Sequence, residues 1–305
     1  MTFKKKIKNN SLIGKAYSNR LFAIIEMNKG HLDISIKKYL ETQKFWEATK
    51  DSSLIIEGLS DLAIAFFYQK DYRNAIKYWK KTTNYYISHK NIDYAINPLS
   101  NMSISYIEVK EYGEAEKIFE FILPKAIEKN DVNILIDIYQ NMSYLEHIKK
   151  NYDKAIYYTL RAIKSLDNTN ELTRIGNLYC NLGELYREKK DFKRAKENLF
   201  IGLNFVRKTN NLLRISRAYH SISDFYADIK KFELALAYKD TFSLIHDSIF
   251  TINKQEQIIE LEKRFDLQQK EKQIVELNKD KYIQASELKK QRYLNYFFIL
   301  RYFKI

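Results

Sequence analysis

The sequence predicts an all-α chain: a right-handed α-solenoid of about six helical hairpins of forty residues, followed by a long C-terminal helix or coiled coil. Three observations carry this. Gly and Pro number only 7 and 2 in 305 residues, too few for the turns that a strand-rich fold consumes. A short motif recurs at a spacing of forty residues, which marks a stacked-repeat architecture. Ahead of each copy, apolar residues fall at helical spacing, as in Leu59, Leu62, Ala63, Phe66 and Phe67, on one face at i, i+3, i+4 and i+7.

The motif is an acidic or amide residue, an aromatic, two variable residues and Ala. It reads Asp71-Tyr72-Arg73-Asn74-Ala75, Glu111-Tyr112-Gly113-Glu114-Ala115, Asn151-Tyr152-Asp153-Lys154-Ala155 and Asp191-Phe192-Lys193-Arg194-Ala195. Lys231-Phe232-Glu233-Leu234-Ala235 is a fifth copy, and His31-Leu32-Asp33-Ile34-Ser35 is a degenerate one a period earlier than the first. The leading polar residue suits a tight turn and a helix N-cap. The aromatic packs down into the hairpin. The Ala marks the closest approach of the two helices, where only a small side chain fits.

These residues resemble the tetratricopeptide repeat family. The best copy is Tyr179-Cys180-Asn181-Leu182-Gly183-Glu184-Leu185-Tyr186 followed by Ala195, with Ala63, Ser103, Ser143 and Ser223 replacing the Gly in other copies. The family repeat is about 34 residues, so these hairpins carry longer helices. The resemblance covers residues 14–250 and implies a protein- or peptide-binding fold whose first helices line a concave groove. Counting back from the hairpin Ala puts Asn101, Asn141 and Asn181 at one equivalent position, flanked by Asp61 and Ser221. An amide ladder of that kind can pair with an extended peptide backbone through both donor and acceptor; Asn is also simply common at that repeat position. Further inner-face candidates are Arg20, Gln140, Tyr144, His147, Asn177, Glu184, Arg187, Arg217, His220 and Asp224. Their charges are mixed, and the two-lysine carboxylate clamp of chaperone-binding relatives is not evident.

Composition narrows function. No Gly-rich phosphate loop, HExxH or paired-Cys spacing is present, and the five His are scattered over different repeats. The expectation is a non-enzyme with no cofactor and no metal. Cys180 stands alone, so no disulfide framework is expected. The net charge of +14 admits an anionic partner, but Lys spread over helix faces is mostly solvated surface. Nucleic-acid binding is the minor reading, because the aromatics are absorbed by repeat packing.

The ends are separate regions. Residues 1–13 form a basic leader with Lys4, Lys5, Lys6 and Lys8 and no apolar signal-peptide core. Residues 251–292 are charge-dense, with Ile258, Leu261 and Phe265, then Ile274, Val275 and Leu277, then Tyr282 and Leu288. Partial heptads make this a coiled coil and a homodimer candidate; a single capping helix is the alternative. Residues 293–305 are apolar and aromatic behind Lys289, Lys290 and Arg292. They are short for a span of about 20 residues, and suit a membrane interface or the start of a longer span. This order resembles bacterial membrane-bound regulators that join a repeat sensor through a coiled helix to a membrane helix. Their helix-turn-helix or histidine-kinase output has no counterpart here, so a stand-alone sensory or scaffolding module and a truncated regulator both stay open. The basic flank favours repeats in the cytoplasm or at the inner membrane face, or in the periplasm if residues are missing from the N-terminus.

Overall fold

The computed structural model describes the backbone of residues 3–166 and 171–302, and the side chains of 13–166, 171–252, 254–263 and 265–295. The leader's lysines and the apolar stretch 296–305 therefore lie outside the described side chains. Among the described residues there are twelve helices and no strand: α1 (Phe3–Asn28), α2 (Leu32–Thr49), α3 (Ser52–Tyr68), α4 (Tyr72–Ser88), α5 (Ile92–Glu108), α6 (Tyr112–Lys129), α7 (Val132–Ile148), α8 (Tyr152–Ser165), α9 (Leu172–Glu188), α10 (Phe192–Arg207), α11 (Leu212–Asp228) and α12 (Phe232–Tyr302). They pair in order into six antiparallel hairpins, the expected solenoid. Residues up to Tyr238, including the start of α12, form one compact unit; Lys239–Ile305 form a second.

From α2 onward a helix begins every twenty residues, at 32, 52, 72 and so on to 232. The turns explain this. At Lys70 the backbone is left-handed, with φ 63°. Its N–H donates to the Phe67 carbonyl, and the next N–H, of Asp71, donates to the Phe66 carbonyl, both at 2.9 Å. That pair of bonds is the Schellman closure of a helix C-terminus. Asp71 is at once the N-cap of α4, its carboxylate accepting from the Asn74 N–H at 3.2 Å. One residue in αL and one shared cap thus link the two helices. The same double closure recurs at Gly30, Lys90, Lys110, Lys150, Lys190 and Lys230, and Lys50 and Asn130 are also left-handed. Asp51, Asp131, Asp191 and Asn211 cap their helices through the side chain as well.

Inside each hairpin the small residues do what the motif requires. Ala75, Ala115, Ala155 and Ala195 are fully buried, and Ala235 nearly so. Opposite them the small residue on the first helix makes contact with the second: Ser143 Oγ donates to the Ala155 carbonyl at 2.9 Å, and Ser223 Oγ to the Ala235 carbonyl at 2.8 Å. In the first hairpin the roles are exchanged, with Ser35 on α2 donating to the Ala23 carbonyl. Fully buried Trp46, Trp79, Leu62, Ile96, Ile122 and Ile136 fill the core, Trp46 against Tyr17 and Trp79 against Phe67 of its own hairpin, each side chain stabilising by roughly 1.5–3 kcal/mol on burial.

The α9–α10 hairpin is the tightest. A methyl group on Gly202 would lie 2.8 Å from the Cys180 backbone nitrogen and 2.9 Å from the Gly176 carbonyl oxygen; backbone cannot yield as a side chain does. We expect Gly202→Ala to destabilise by about 1–3 kcal/mol through overpacking, although Ala is the better helix former by about 1 kcal/mol. Gly113→Ala, where nothing lies within 4 Å, should be neutral or stabilising by up to about 1 kcal/mol. Urea denaturation of both variants checks the contrast. Cys180 faces the same contact, and burial pushes its thiol up to about 12. Because only the thiolate reacts, alkylation by iodoacetamide at pH 8 should be at least ~100-fold slower in the folded chain than in urea, where the thiol returns to about 8.5.

Candidate functional site

The first helices of neighbouring hairpins touch directly, α5 against α7 and α9 against α11. They therefore form the inner side of the stack, and the predicted contact residues sit on them. Between α7 and α9 lies a cavity of about 210 Å³. Gln140, Ser143, Tyr144 and His147 come from α7, Thr159 from α8, and Leu178, Asn181, Glu184 and Leu185 from α9. Five residues proposed from the sequence, Gln140, Tyr144, His147, Asn181 and Glu184, are brought together here. Drug-sized ligand sites run roughly 300–1,000 Å³, so this one matches a single side chain of a longer ligand.

The other proposed residues are distributed along the same inner row. Asn101 and Arg217 are exposed, on α5 and α11, and Asn177 is half-buried on α9. His220 Nδ1 stands 3.1 Å from Asp224 Oδ2 within α11. Arg187 Nη1 donates to Asp228 Oδ2 at 2.7 Å. The three Asn of the ladder are not in equivalent states: Asn141 Nδ2 donates to Ser100 Oγ on α5 at 3.0 Å, whereas Asn101 and Asn181 are exposed.

Much of this face is tied to itself by a regular stagger. Residue n on one first helix meets residue n+41 or n+37 on the next. Arg20 spans both offsets, 2.6 Å from Asp61 and from Glu57. Arg174 likewise donates to Asn133 and to Asp137, each at 2.6 Å. His147 lies 2.8 Å from Glu188, and the Ser221 hydroxyl donates to Glu184. The two offsets differ by one helical turn, as expected of parallel helices repeated every forty residues with a one-residue slip. Tyr144 Oη donates to Glu108 at 2.6 Å, and burial followed by that carboxylate holds its phenol well above the ordinary range. Burial also raises Asp61 and Asp137 above the usual carboxylate range, although each has an arginine partner.

The sequence missed the partners Glu108, Glu188 and Asp228, and also Arg214. Burial, then the charge of Arg217, lowers Arg214 from the usual guanidinium range. Neither arginine has an ion pair among the described residues, so this end of the row attracts an anionic group. The signal for the staples was the forty-residue period itself, read with a slip of one or minus three. Among the described residues no cluster of His, Cys, Asp and Glu is arranged to hold a metal ion.

The fold and this inner row define a helical-repeat scaffold. Residues 176–199, the heart of the α9–α10 hairpin, match the tetratricopeptide repeat family, and the other hairpins share that helix–turn–helix arrangement. Solved structures share the arrangement. Aspartyl phosphate phosphatase F from Bacillus subtilis superposes with a TM-score of 0.66 at 15% identity, over 79% of this chain and 73% of that one. The quorum sensor NprR from B. thuringiensis gives 0.57 at 14% identity, over 80% of each. BtubC from P. vanneervenii gives 0.57 at 16% identity, over 82% of this chain and 93% of that one. At these identities the likeness carries the fold and no activity. No curated protein matches the sequence.

The staples give a direct test of the inner row. Exposed ion pairs stabilise by about 0–1 kcal/mol, so Arg187→Ala should cost little beyond that in urea denaturation. It should instead loosen the α9–α11 seam, read as faster amide exchange at the C-terminal turns of α11, where Asp228 lies, than in the unaltered chain.

Proposed function

We propose that the chain is a non-catalytic module that binds a peptide or protein segment along its inner row, as the sensory or scaffolding part of a bacterial signalling system. The observation that carries this is the α7–α9 cavity: a residue-sized hole, floored by Leu178 and Leu185 and rimmed by Gln140 and Asn181, in the middle of a continuous row of first helices. An extended ligand running across the row could seat one side chain there. Its backbone would pair with the open amides, and an acidic group would suit Arg214 and Arg217. Similar structures support the reading, since one is NprR in complex with its cognate peptide NprX and another a Rap protein complexed with competence and sporulation factor.

The stapled residues would hold the groove in shape and the unstapled ones would contact the ligand. That division selects the variants. Random heptapeptides should be selected on the immobilised full chain and their affinity measured by fluorescence anisotropy. We expect the Gln140→Ala, Asn181→Ala double variant to bind the selected peptides at least ~10-fold more weakly, about 1.4 kcal/mol, with unchanged helicity by circular dichroism. Equal affinity in the double variant sinks the placement.

The same reading assigns residues 253–292 to self-association. Ile258, Leu261, Phe265 and Val275 on α12 are all about half exposed or more, and an isolated helix gains little stability until such a face is covered. We expect the full chain to sediment as a dimer and the Leu261→Lys, Phe265→Lys variant as a monomer; a monomeric parent chain excludes this assignment. No helix among the described residues is long and apolar enough to cross a membrane. Surface contact through 293–305, with the repeats in the cytoplasm or at the inner face, belongs to the same proposal.

A further inference from the structure

A second cavity, of about 290 Å³, lies on the other flank of α7, in the crevice between α6 and α8. Its walls are apolar: Phe119 and Leu123 from α6, Met142 and Leu145 from α7. Three carboxylates open into it, those of Glu116, Glu120 and Glu146. They stand on a chain whose formal net charge is +14, so an acidic hollow here runs against the composition.

Glu146 is the telling member. It is 7% exposed, and its Oε2 accepts from Asn151 Nδ2 at 2.7 Å. Its Oε1 has no hydrogen-bond partner among the described residues. That oxygen is not among the fully buried unpaired atoms, so it can accept from a donor or a cation that enters the hollow. Lys149 stands near the mouth, bonds Glu116 at 2.5 Å and also feels the charge of Glu146, which leaves one cation against three carboxylates. Pro124 adds an acceptor: it has no N–H to give the Glu120 carbonyl one turn back, although α6 continues through it. Tyr158 offers its ring. Burial, then the charge of Glu146, raises its phenol, so the hydroxyl keeps its proton and the ring faces an electron-rich hollow.

We propose that this crevice is a second binding site and that it takes a cationic side chain, arginine or lysine, from a protein partner. The apolar walls accept the methylene stem and the carboxylates the charged head. The Tyr158 ring adds a cation–π contact, and a guanidinium can engage two acceptors at once. Apart from the Tyr158 hydroxyl, the lining side chains offer acceptors and no donors, which disfavours an anionic or amide ligand. The inner-row reading plays no part in this inference.

The test uses the full chain with 13C-methyl methionine, in which Met142 reports on the crevice and Met27 on a separate core cluster. N-acetyl-arginine amide is titrated against its neutral counterpart N-acetyl-norleucine amide. We expect the arginine compound to shift the Met142 methyl signal saturably while Met27 stays fixed. The norleucine compound should bind at least ~5-fold more weakly. Glu146→Gln should weaken the arginine response at least ~5-fold. Glu120→Gln, on the exposed face of α6 and so safe for folding, should weaken it by a smaller factor. A Met142 signal that does not move overturns the site. An equal response to both compounds, or an unchanged arginine response in both variants, overturns the cationic assignment.

Discussion

The Asp71 amide reaching back to the Phe66 carbonyl is one case of the closure on which this solenoid depends. Closures of this kind end most of the helices on an αL residue, and every helix-plus-turn from α2 to α11 occupies twenty residues. Left-handed backbone costs a non-glycine residue about 1–2 kcal/mol, and Lys carries it at 50, 70, 90, 110, 150, 190 and 230. Two closing bonds, each worth about 1 kcal/mol net, offset that strain at Lys70, Lys90, Lys110, Lys150, Lys190 and Lys230, with a side-chain cap added by Asp71 and Asp191. What accompanies that strain is register: equal helices stack with a repeated stagger, and position n meets n+41 or n+37 at α1–α3, α7–α9 and α9–α11.

The forty-residue period and the hairpin Ala were legible because each is a local demand on one residue type; of the motif's leading residues, Asp71 and Asp191 accept a capping bond through the side chain, whereas His31, Glu111 and Asn151 do not. The half-period of twenty was not legible. The turns from second to first helices, Lys50-Asp51, Lys90-Asn91 and Asn130-Asp131, are followed by Ser52, Ile92 and Val132 rather than by an aromatic, so the eye finds only the alternate turns. Their shared feature is a residue able to enter αL before an acidic or amide cap. That the proposed contact residues lie on the first helices was also legible, by counting back from the Ala. Which of them are already engaged was not, because the one-residue slip between neighbouring helices is a property of packing rather than of any residue. The α6–α8 crevice was illegible for the same reason: its carboxylates lie on two helices and matter only through the distance between them.

The inner row is held by contacts that individually contribute little. Most of its ion pairs are partly exposed, and such pairs are weak; raised Asp61 and Asp137 show that burial costs these carboxylates more than their arginines return. Their value is geometric. Tyr144, His147 and Glu184 surround the α7–α9 cavity while bonded to neighbouring hairpins, so its rim is fixed before any ligand arrives. A ligand then orders only its own atoms, and preorganisation of that kind lowers the entropic cost of binding.

Along the stack, packing is uneven, and this locates where binding can be felt. At α9–α10, three glycines bring backbones so close that a single methyl has no room; that hairpin behaves as a rigid block. At the α6–α8 seam there is a hollow of about 290 Å³ instead. In a solenoid each repeat answers mainly to its neighbours, so a change at the seam reaches first the one helix that borders it on the inside, α7. That helix presents Met142, Leu145 and Glu146 to the crevice and Gln140, Tyr144 and His147 to the inner cavity. The stiff hairpin and the open seam thus leave α7 as the element through which a groove ligand and a cationic partner would have to share the same backbone.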